Sequence, residues 1–480
     1  MKPAEGEGDR KVICPHCWHR FGVEELLAIA QHQSLLGDPV LGPEAAQRFL
    51  PSRFTPEGHA IDAHGLACSD FACPRCHLGV PHPIMEKPPL FLSMIGAPGS
   101  GKSYLLTTMI SKLRTLMPSE FASVFGDADP VCNQIINEYE RILFHCSDDE
   151  VLVTLKKTEM HGEMYDSVVL DDMAVNLPHP FMFSLAPQPH HPWYKKREGE
   201  LTKSLVLYDN AGEHFEPGMD SATNPGTHHL SMSEGLFFVF DPTKDVRFRR
   251  ECKSDDPQIK PGTRVERQEI LLAEAIARIR RAAGMLRSKK YEHPLLVVVT
   301  KYDIWRDLFD HPLRSAWQQP SETSSALLDF DTIMAASFAL RHLMMKLCPE
   351  FVSTAEAFAS KVVYIPVSAM GRSPEEDPEN PDSGALLVRP KDIKPIWATV
   401  PFLTMLGLKK LTPMAKRRKD DRVPSPKVLR VSGDRVVISL SKELPPLEVP
   451  NAYLGCLLRH PESGKWFRMV SAKQLSNPSH

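Results

Sequence analysis

The sequence carries almost no net charge. Its 57 Lys and Arg against 60 Asp and Glu leave a formal −3 over 480 residues. Bulk charge therefore gives no pointer to nucleic acid or to an anionic membrane surface. No uninterrupted apolar run is long enough to cross a bilayer. The opening residues, MKPAEGEGDRKVI, lack the apolar stretch of a secretory signal. Ten cysteines are too sparse for a disulfide framework in a chain of this length. A cytoplasmic protein is expected. The one abundant breaker is proline, at 43 residues, mostly between periodic segments, which implies long connecting loops. The length predicts two or three domains with ample material for a core.

Four of the few cysteines are grouped. Cys14-Pro-His-Cys17 and Cys73-Pro-Arg-Cys76 are two CPxC knuckles. A tight turn in each sets both sulfurs on one side of a metal, so Cys14, Cys17, Cys73 and Cys76 are candidate Zn²⁺ ligands in a structural four-thiolate site. Cys68, His16, His19, His64 and His77 are near enough in sequence to be considered alongside them. The gap between the knuckles is long for a ribbon. Its apolar spacing predicts helices over 23–36 and 44–50, hence a zinc-ribbon-like module over 1–85 with a helical insertion. Trp18, His19, Arg20 and Arg75 are too little basic and aromatic surface to argue nucleic-acid binding.

The strongest chemical signal follows. The apolar run FLSMI leads into Gly96-Ala-Pro-Gly99-Ser100-Gly101-Lys102-Ser103 and then a helical pattern, the strand–loop–helix context of the phosphate-binding motif GxxxxGK[ST]. Glycines let the backbone curl so that N–H groups and a helix N-terminus face an anion. Lys102 is expected on the β- and γ-phosphates and Ser103 on Mg²⁺.

Three later strand ends extend the series. SLVLYD ends in Asp209, and Asp209 with Gly212 satisfies DxxG, a turn that can hold Mg²⁺ and sense a γ-phosphate. LLVVV ends in Thr300-Lys301-Tyr302-Asp303, the [NT]KxD pattern that reads guanine through its acid. VVYIPV ends in Ser368-Ala369, where a backbone N–H suits the guanine O6. Between the first two landmarks, 132–146 predicts a helix, and 151–155, 166–170 and 180–186 predict strands. The stretch 187–200 predicts a surface loop, while 235–242 predicts a strand and 264–288 and 324–347 predict helices. Residues 393–411 predict a closing helix, buried in preference to lying on a membrane. A charged linker is expected over 413–426, with the basic run at 416–419, and a small β appendage over 427–480.

The ordered set GAPGSGKS, DNAG, TKYD, SA resembles the P-loop GTPases of the Ras-like and translation-factor class over roughly 88–412. The segment RFTPEGHAIDAHG…ACPRCH is also similar to bacterial double-GTPase-type proteins. The resemblance implies an α/β fold, a mostly parallel sheet with helices on both faces, as a GTPase domain over 86–412 with an enlarged switch I region. It implies GTP or GDP and Mg²⁺ as ligands. Gly96, Gly99, Ser100, Gly101, Lys102 and Ser103 would hold phosphate, Asp209 and Gly212 would form the switch turn, and Thr300, Lys301, Asp303, Ser368 and Ala369 would hold the base. Glu213 and His214 compete for the water-positioning role beside Lys102, with neither preferred. Thr154, Thr158 and Thr202 are equal candidates for the switch I threonine. No arginine is placed as a finger, so slow intrinsic turnover is expected unless a partner supplies one. The leading expectation is a GTP-hydrolysing switch signalling to a protein partner in a bacterial regulatory or conflict system. A non-hydrolysing GTP-binding scaffold, whose ribbon recruits a partner, is the alternative, favoured by the negative charge of Glu213.

Overall fold

The computed structural model describes residues 11–86, 89–155, 164–209, 228–252, 256–260, 265–320, 325–380, 385–416 and 423–476. Gly212, Glu213, His214, Thr158 and the basic residues 417–419 lie outside the described residues.

Seven strands build the central sheet: β1 (Leu90–Gly96), β2 (Ser123–Asp127), β3 (Phe181–Pro187), β4 (Lys203–Asp209), β5 (Gly235–Phe240), β6 (Leu295–Val299) and β7 (Val362–Pro366). Their order is β2-β3-β4-β1-β5-β6-β7. From β4 to β7 the pairing is parallel, and β2 and β3 add an antiparallel edge. Every residue of β1, β5, β6 and β7 is buried, because parallel strands covered on both faces must be apolar throughout. The expected mostly parallel α/β sheet is present.

Alternate residues of each strand feed two cores. Met94, Phe237 and Val298 face one layer; Ile95, Phe238 and Val297 face the other. Helix α1 (Lys102–Glu120) buries Leu105, Leu106, Met109, Ile110, Leu113 and Met117 on the first face, a helical spacing. On the second lie α2 (Gln268–Ala282) and α4 (Pro349–Phe358). Between these two in sequence, α3 (Phe330–Leu347) contributes to both cores. The closing helix α5 is shorter than expected, Val400–Leu408, and its first eight residues are all buried, so it is a core helix and not a membrane-surface one. No helix among the described residues is long and apolar enough to cross a membrane.

Four expectations fail. The strand predicted over 151–155 is only an isolated bridge from Val153 to Val388. The helix predicted over 23–36 is a single 3-10 turn (Val23–Glu25) followed by short strands Leu27–Ile29 and Leu36–Asp38. Leu26, Ala28 and Ala30 are buried and Leu27 and Ile29 are not, a period of two imposed by pairing of Leu27–Ile29 with Phe71–Ala72 and Arg48–Phe49. The helix predicted over 44–50 is likewise replaced by strands Gly42–Ala46 and Arg48–Phe49. Tertiary pairing overrides local propensity here. The loop predicted over 187–200 instead carries a kinked helix, Tyr194–Leu201.

The C-terminal strands pack on the sheet layer through α3. Val436, Ile438, Val449, Tyr453, Leu458 and Phe467 share a core with α1 and α5, and Tyr453 OH meets Ser337 Oγ of α3 at 3.0 Å. A buried ion pair pins the junction. Arg341 donates to both oxygens of Glu356, at 2.5 and 2.9 Å. Arg435 of the C-terminal strands and Tyr364 of β7 donate to the same carboxylate. Replacing Glu356 with Ala strands the buried Arg341 charge and is expected to cost about 3–5 kcal/mol in urea unfolding. The double variant Glu356→Ala/Arg341→Met, with no stranded charge, is expected to recover part of that loss.

Candidate functional site

Parallel register brings the chemical landmarks to one edge. Asp209 pairs opposite Met94, Gly96 opposite Val239, Phe240 opposite Val299, and Val299 opposite Pro366. Each landmark lies at or just past a strand's carboxyl end, where open α/β sheets bind ligands.

At Gly96 the backbones of β1 and β5 approach so closely that a Cβ would sit 2.7 Å from the Val239 carbonyl oxygen. The loop then turns through Gly99 and Gly101, at φ of +65° and +85°, and enters α1 at Lys102. Lys102 Nζ reaches back across the loop to the carbonyls of Gly96 and Ala97, both at 3.0 Å. Thr300 ties the far side down: its hydroxyl donates to the Ser100 and Phe240 carbonyls at 3.3 and 3.1 Å. The result is a cradle of backbone N–H groups at a helix start with a buried ammonium across it.

Beside it, Ser103 Oγ donates to Asp209 Oδ2 at 3.2 Å. Burial pushes the Asp209 carboxyl above its ordinary range, against the pull of Lys102 and Ser103. Its second oxygen, Oδ1, is buried with no hydrogen-bond partner among the described residues. A buried carboxylate with an orphaned oxygen next to a serine hydroxyl fits an oxygen-seeking cation such as Mg²⁺. Of the threonines, Thr154 is held near the loop: its hydroxyl meets Tyr104 OH at 3.2 Å, and Leu155 N–H donates to the same phenol at 3.1 Å. Thr202 is removed from consideration. It caps a helix at the start of β4, bonded to the Glu198 carbonyl, about 20 Å along the strand from Asp209.

A cleft of about 290 Å³ is lined both by Pro98–Ser103 of the loop and by Thr300, Lys301, Asp303, Ser368 and Ala369. Residues 98–103 and 368–369 are thus walls of one cavity. Lys301 takes a left-handed φ of +55° and pairs with Asp241 at 2.7 Å and with Thr243 Oγ1 at 3.0 Å. The Ser368 N–H is committed to the Ile396 carbonyl at 3.0 Å, while the Ala369 N–H has no protein partner among the described residues. That makes Ala369 the better donor to a base.

Several residues of this site escaped the sequence reading. Asp241 ends the strand GLFFVF as Asp209 ends SLVLY, and a buried acid at that edge was the available signal. Lys244, three residues on, stands over the loop: a Cβ on Gly99 would lie 3.8 Å from its Nζ. Tyr104, Gln258 and Arg372 line the cleft from separate segments and carry no local signal.

The four cysteines converge in a second cluster. Cys14 and Cys76 sulfurs are 3.7 Å apart, those of Cys17 and Cys73 are 3.6 Å apart, and all four lie within 4.8 Å of one another, fully buried. Tetrahedral Zn–S bonds of about 2.3 Å require S···S separations of about 3.8 Å, so the set fits zinc. The two knuckles repeat one geometry. The residue after each second cysteine, Trp18 or His77, has φ of +59°, and its N–H bonds the carbonyl of the first cysteine. Burial raises the Cys14 thiol well above its ordinary value, while hydrogen bonds from Cys14, Cys17 and Cys76 hold Cys73 far below it. Cys68 and the nearby histidines are engaged elsewhere. Cys68 meets the Leu66 carbonyl, His16 the Gly79 carbonyl, His64 Ser34, and His77 Asp38, while His19 stacks on Phe21.

No family model and no curated protein matches the chain. Solved structures similar to it include Sup35 complexed with GDP, at 13% identity over 60% of this chain and 39% of that one, with a TM-score of 0.20. A bacterial selenocysteine-specific elongation factor, EF-Sec, matches at 14% identity over 73% of this chain and 33% of that one, TM-score 0.21. The GTP-bound GTPase-like domain of Ski7 from S. cerevisiae matches at 12% over 73% and 56%, TM-score 0.24. The chain spans less than two thirds of each, and at these TM-scores none carries an inference about it.

Elemental analysis of the purified protein is expected to give about one zinc per chain, lost in the Cys14→Ser/Cys73→Ser double variant but retained in Cys68→Ser.

Proposed function

We propose that this chain is a GTP-binding and GTP-hydrolysing molecular switch. The observation that carries the reading is one cleft lined both by Pro98–Ser103 of the GAPGSGKS loop and by Thr300, Lys301, Asp303, Ser368 and Ala369 of the later strand ends. A phosphate loop alone accepts any nucleotide; an Asp303 carboxylate in the same cleft selects a base with adjacent N–H donors, as guanine has and adenine lacks. Gly96, Gly99, Ser100 and Gly101 cradle the phosphates. Lys102 exchanges its loop carbonyls for phosphate oxygens, gaining charge-assisted bonds. Lys301 holds its left-handed turn through Asp241 and so aims Asp303, while Ala369 N–H serves the base oxygen. Ser103 and Asp209 would hold Mg²⁺, which would supply positive charge against the phosphates when bound. Gly212 completes the switch turn, Thr154 is the described threonine best situated for switch I, and Glu213 or His214 orients the attacking water.

Zinc at Cys14, Cys17, Cys73 and Cys76 belongs to an N-terminal module over 1–85, the GTPase domain spans 86–412, and the 427–480 appendage follows a linker at 413–426. In the cytoplasm of a bacterium, such a switch would report its nucleotide state to a protein partner in a regulatory or conflict system.

Isothermal titration with GTP, GDP and ATP is expected to give GTP and GDP binding at least about tenfold tighter than ATP, a difference of about 1.4 kcal/mol. Asp303→Asn is expected to lose GTP and gain xanthosine triphosphate. Binding of ATP as tight as GTP removes the guanine assignment. Phosphate release under single turnover, with and without candidate partners, then tells a switch from a scaffold that holds GTP unhydrolysed.

A further inference from the structure

Tyr208 immediately precedes Asp209, and neighbouring residues of a strand face opposite sides of the sheet. Asp209 meets Ser103 of the cleft, while Tyr208 is fully buried in the core formed with the cysteine knuckles, beside Cys14, Cys17 and Trp18. Its hydroxyl accepts from Trp18 Nε1 at 3.0 Å and donates to the carbonyl of Pro15, inside the Cys14–Cys17 knuckle.

The next described residues in the chain, His228 and His229, pack on the same group. Tyr208 stacks on His229 with ring centroids 4.4 Å apart and planes 22° apart, and Trp18 packs on His228 at 5.2 Å. His229 Nδ1 in turn bonds Ser93 Oγ at 2.6 Å, and Ser93 is the β1 residue opposite Tyr208 in the register. One knuckle therefore grips the residue before Asp209 and the residues at 228–229. A core aromatic needs only apolar neighbours. This one spends both hydroxyl bonds on the metal-binding turn.

We propose that Tyr208 is a positioning residue through which the four-cysteine knuckle sets the place of the Asp209 carboxylate, so that zinc loading and occupancy of the nucleotide site are energetically coupled. The coupling to nucleotide rests on the GTP reading above; the tether itself does not. Without zinc, Pro15 and Trp18 lose their fixed places, and the buried Tyr208 hydroxyl loses the partners it needs to stay satisfied. Linkage then requires the reverse effect: a ligand that draws Asp209 into one position tightens the hold on zinc.

Two measurements on the full chain test this. Hydrogen exchange with zinc bound and after chelation is expected to show faster exchange without zinc over 203–209 and 228–235, with 295–303 unchanged. Zinc-loaded Tyr208→Phe, which keeps the ring and removes the hydroxyl, is expected to show the same local acceleration while retaining one zinc per chain. Unchanged exchange at 203–209 in both overturns the tether. Zinc release to a chromogenic chelator is then compared in the presence of Mg²⁺ with no nucleotide, GDP or GTPγS. GTPγS is expected to slow release by about fivefold or more, the low end of allosteric couplings, and Tyr208→Phe to abolish most of that difference. Equal release rates in a protein shown to bind mant-GTP overturn the coupling. If mant-GTP does not bind, the GTP reading fails and the coupling with it, and hydrogen exchange alone decides the tether.

Discussion

Parallel pairing of β4, β1, β5, β6 and β7 is the constraint on which the site depends. It aligns five carboxyl ends along one edge, so residues as distant in sequence as Pro98 and Ser368 become walls of one cleft. The pairing is held by strands buried at every position but Lys203, and it therefore has a slippage-resistant register: a one-residue shift would turn each strand's neighbours to the wrong layer. Chemistry at this edge is placed by core packing, and the loops add only the last turn of each landmark. Thr300 illustrates the economy. One hydroxyl joins the end of β6 to both β5 and the phosphate loop.

The N-terminal module is joined to that edge from the opposite face. Trp18, Tyr208 and His229 form a buried aromatic cluster, with the exposed His228 packed on Trp18, between the cysteine knuckle and the strand end that carries Asp209. A second link runs through the Tyr165–Leu170 strand, where Asp166 receives His179 at 3.2 Å and lies 3.4 Å from His16. Burial disfavours the Asp166 charge, yet the two imidazoles hold its carboxyl well below the usual range. The residues just after Cys14 thus touch both the segment between α1 and β4 and the end of β4 itself. In the sequence the cysteines looked like a separate stabilising unit, because nothing in a CPxC pattern says what its outer surface packs against.

Legibility differed by kind of information. The phosphate loop, the strand ends and the knuckles were readable because each is a local run whose chemistry depends on close spacing. The helices over 23–36 and 44–50 were misread for a physical reason: four-residue apolar spacing in VEELLAIA suits a helix, but its burial alternates because a neighbouring strand, Phe71–Ala72, captures it. Asp241 and Lys244 were overlooked because DPTK matches no motif. Their importance lies in distances to Lys301 and Gly99, which only folding creates.

By itself, then, the sequence determined the class of fold, the glycine-rich turn between strand and helix, the TKYD strand end and the grouping of the four sulfurs, since each follows from backbone geometry or ligand spacing over a few residues. Tertiary structure decided the rest. It put Thr202 at the opposite end of β4 from Asp209 and Thr154 beside Tyr104, committed the Ser368 N–H to Ile396, and joined the knuckle to Tyr208. Those outcomes are matters of which ends and faces meet, and a meeting between residues nearly two hundred positions apart, such as Trp18 and Tyr208, leaves no trace in local pattern.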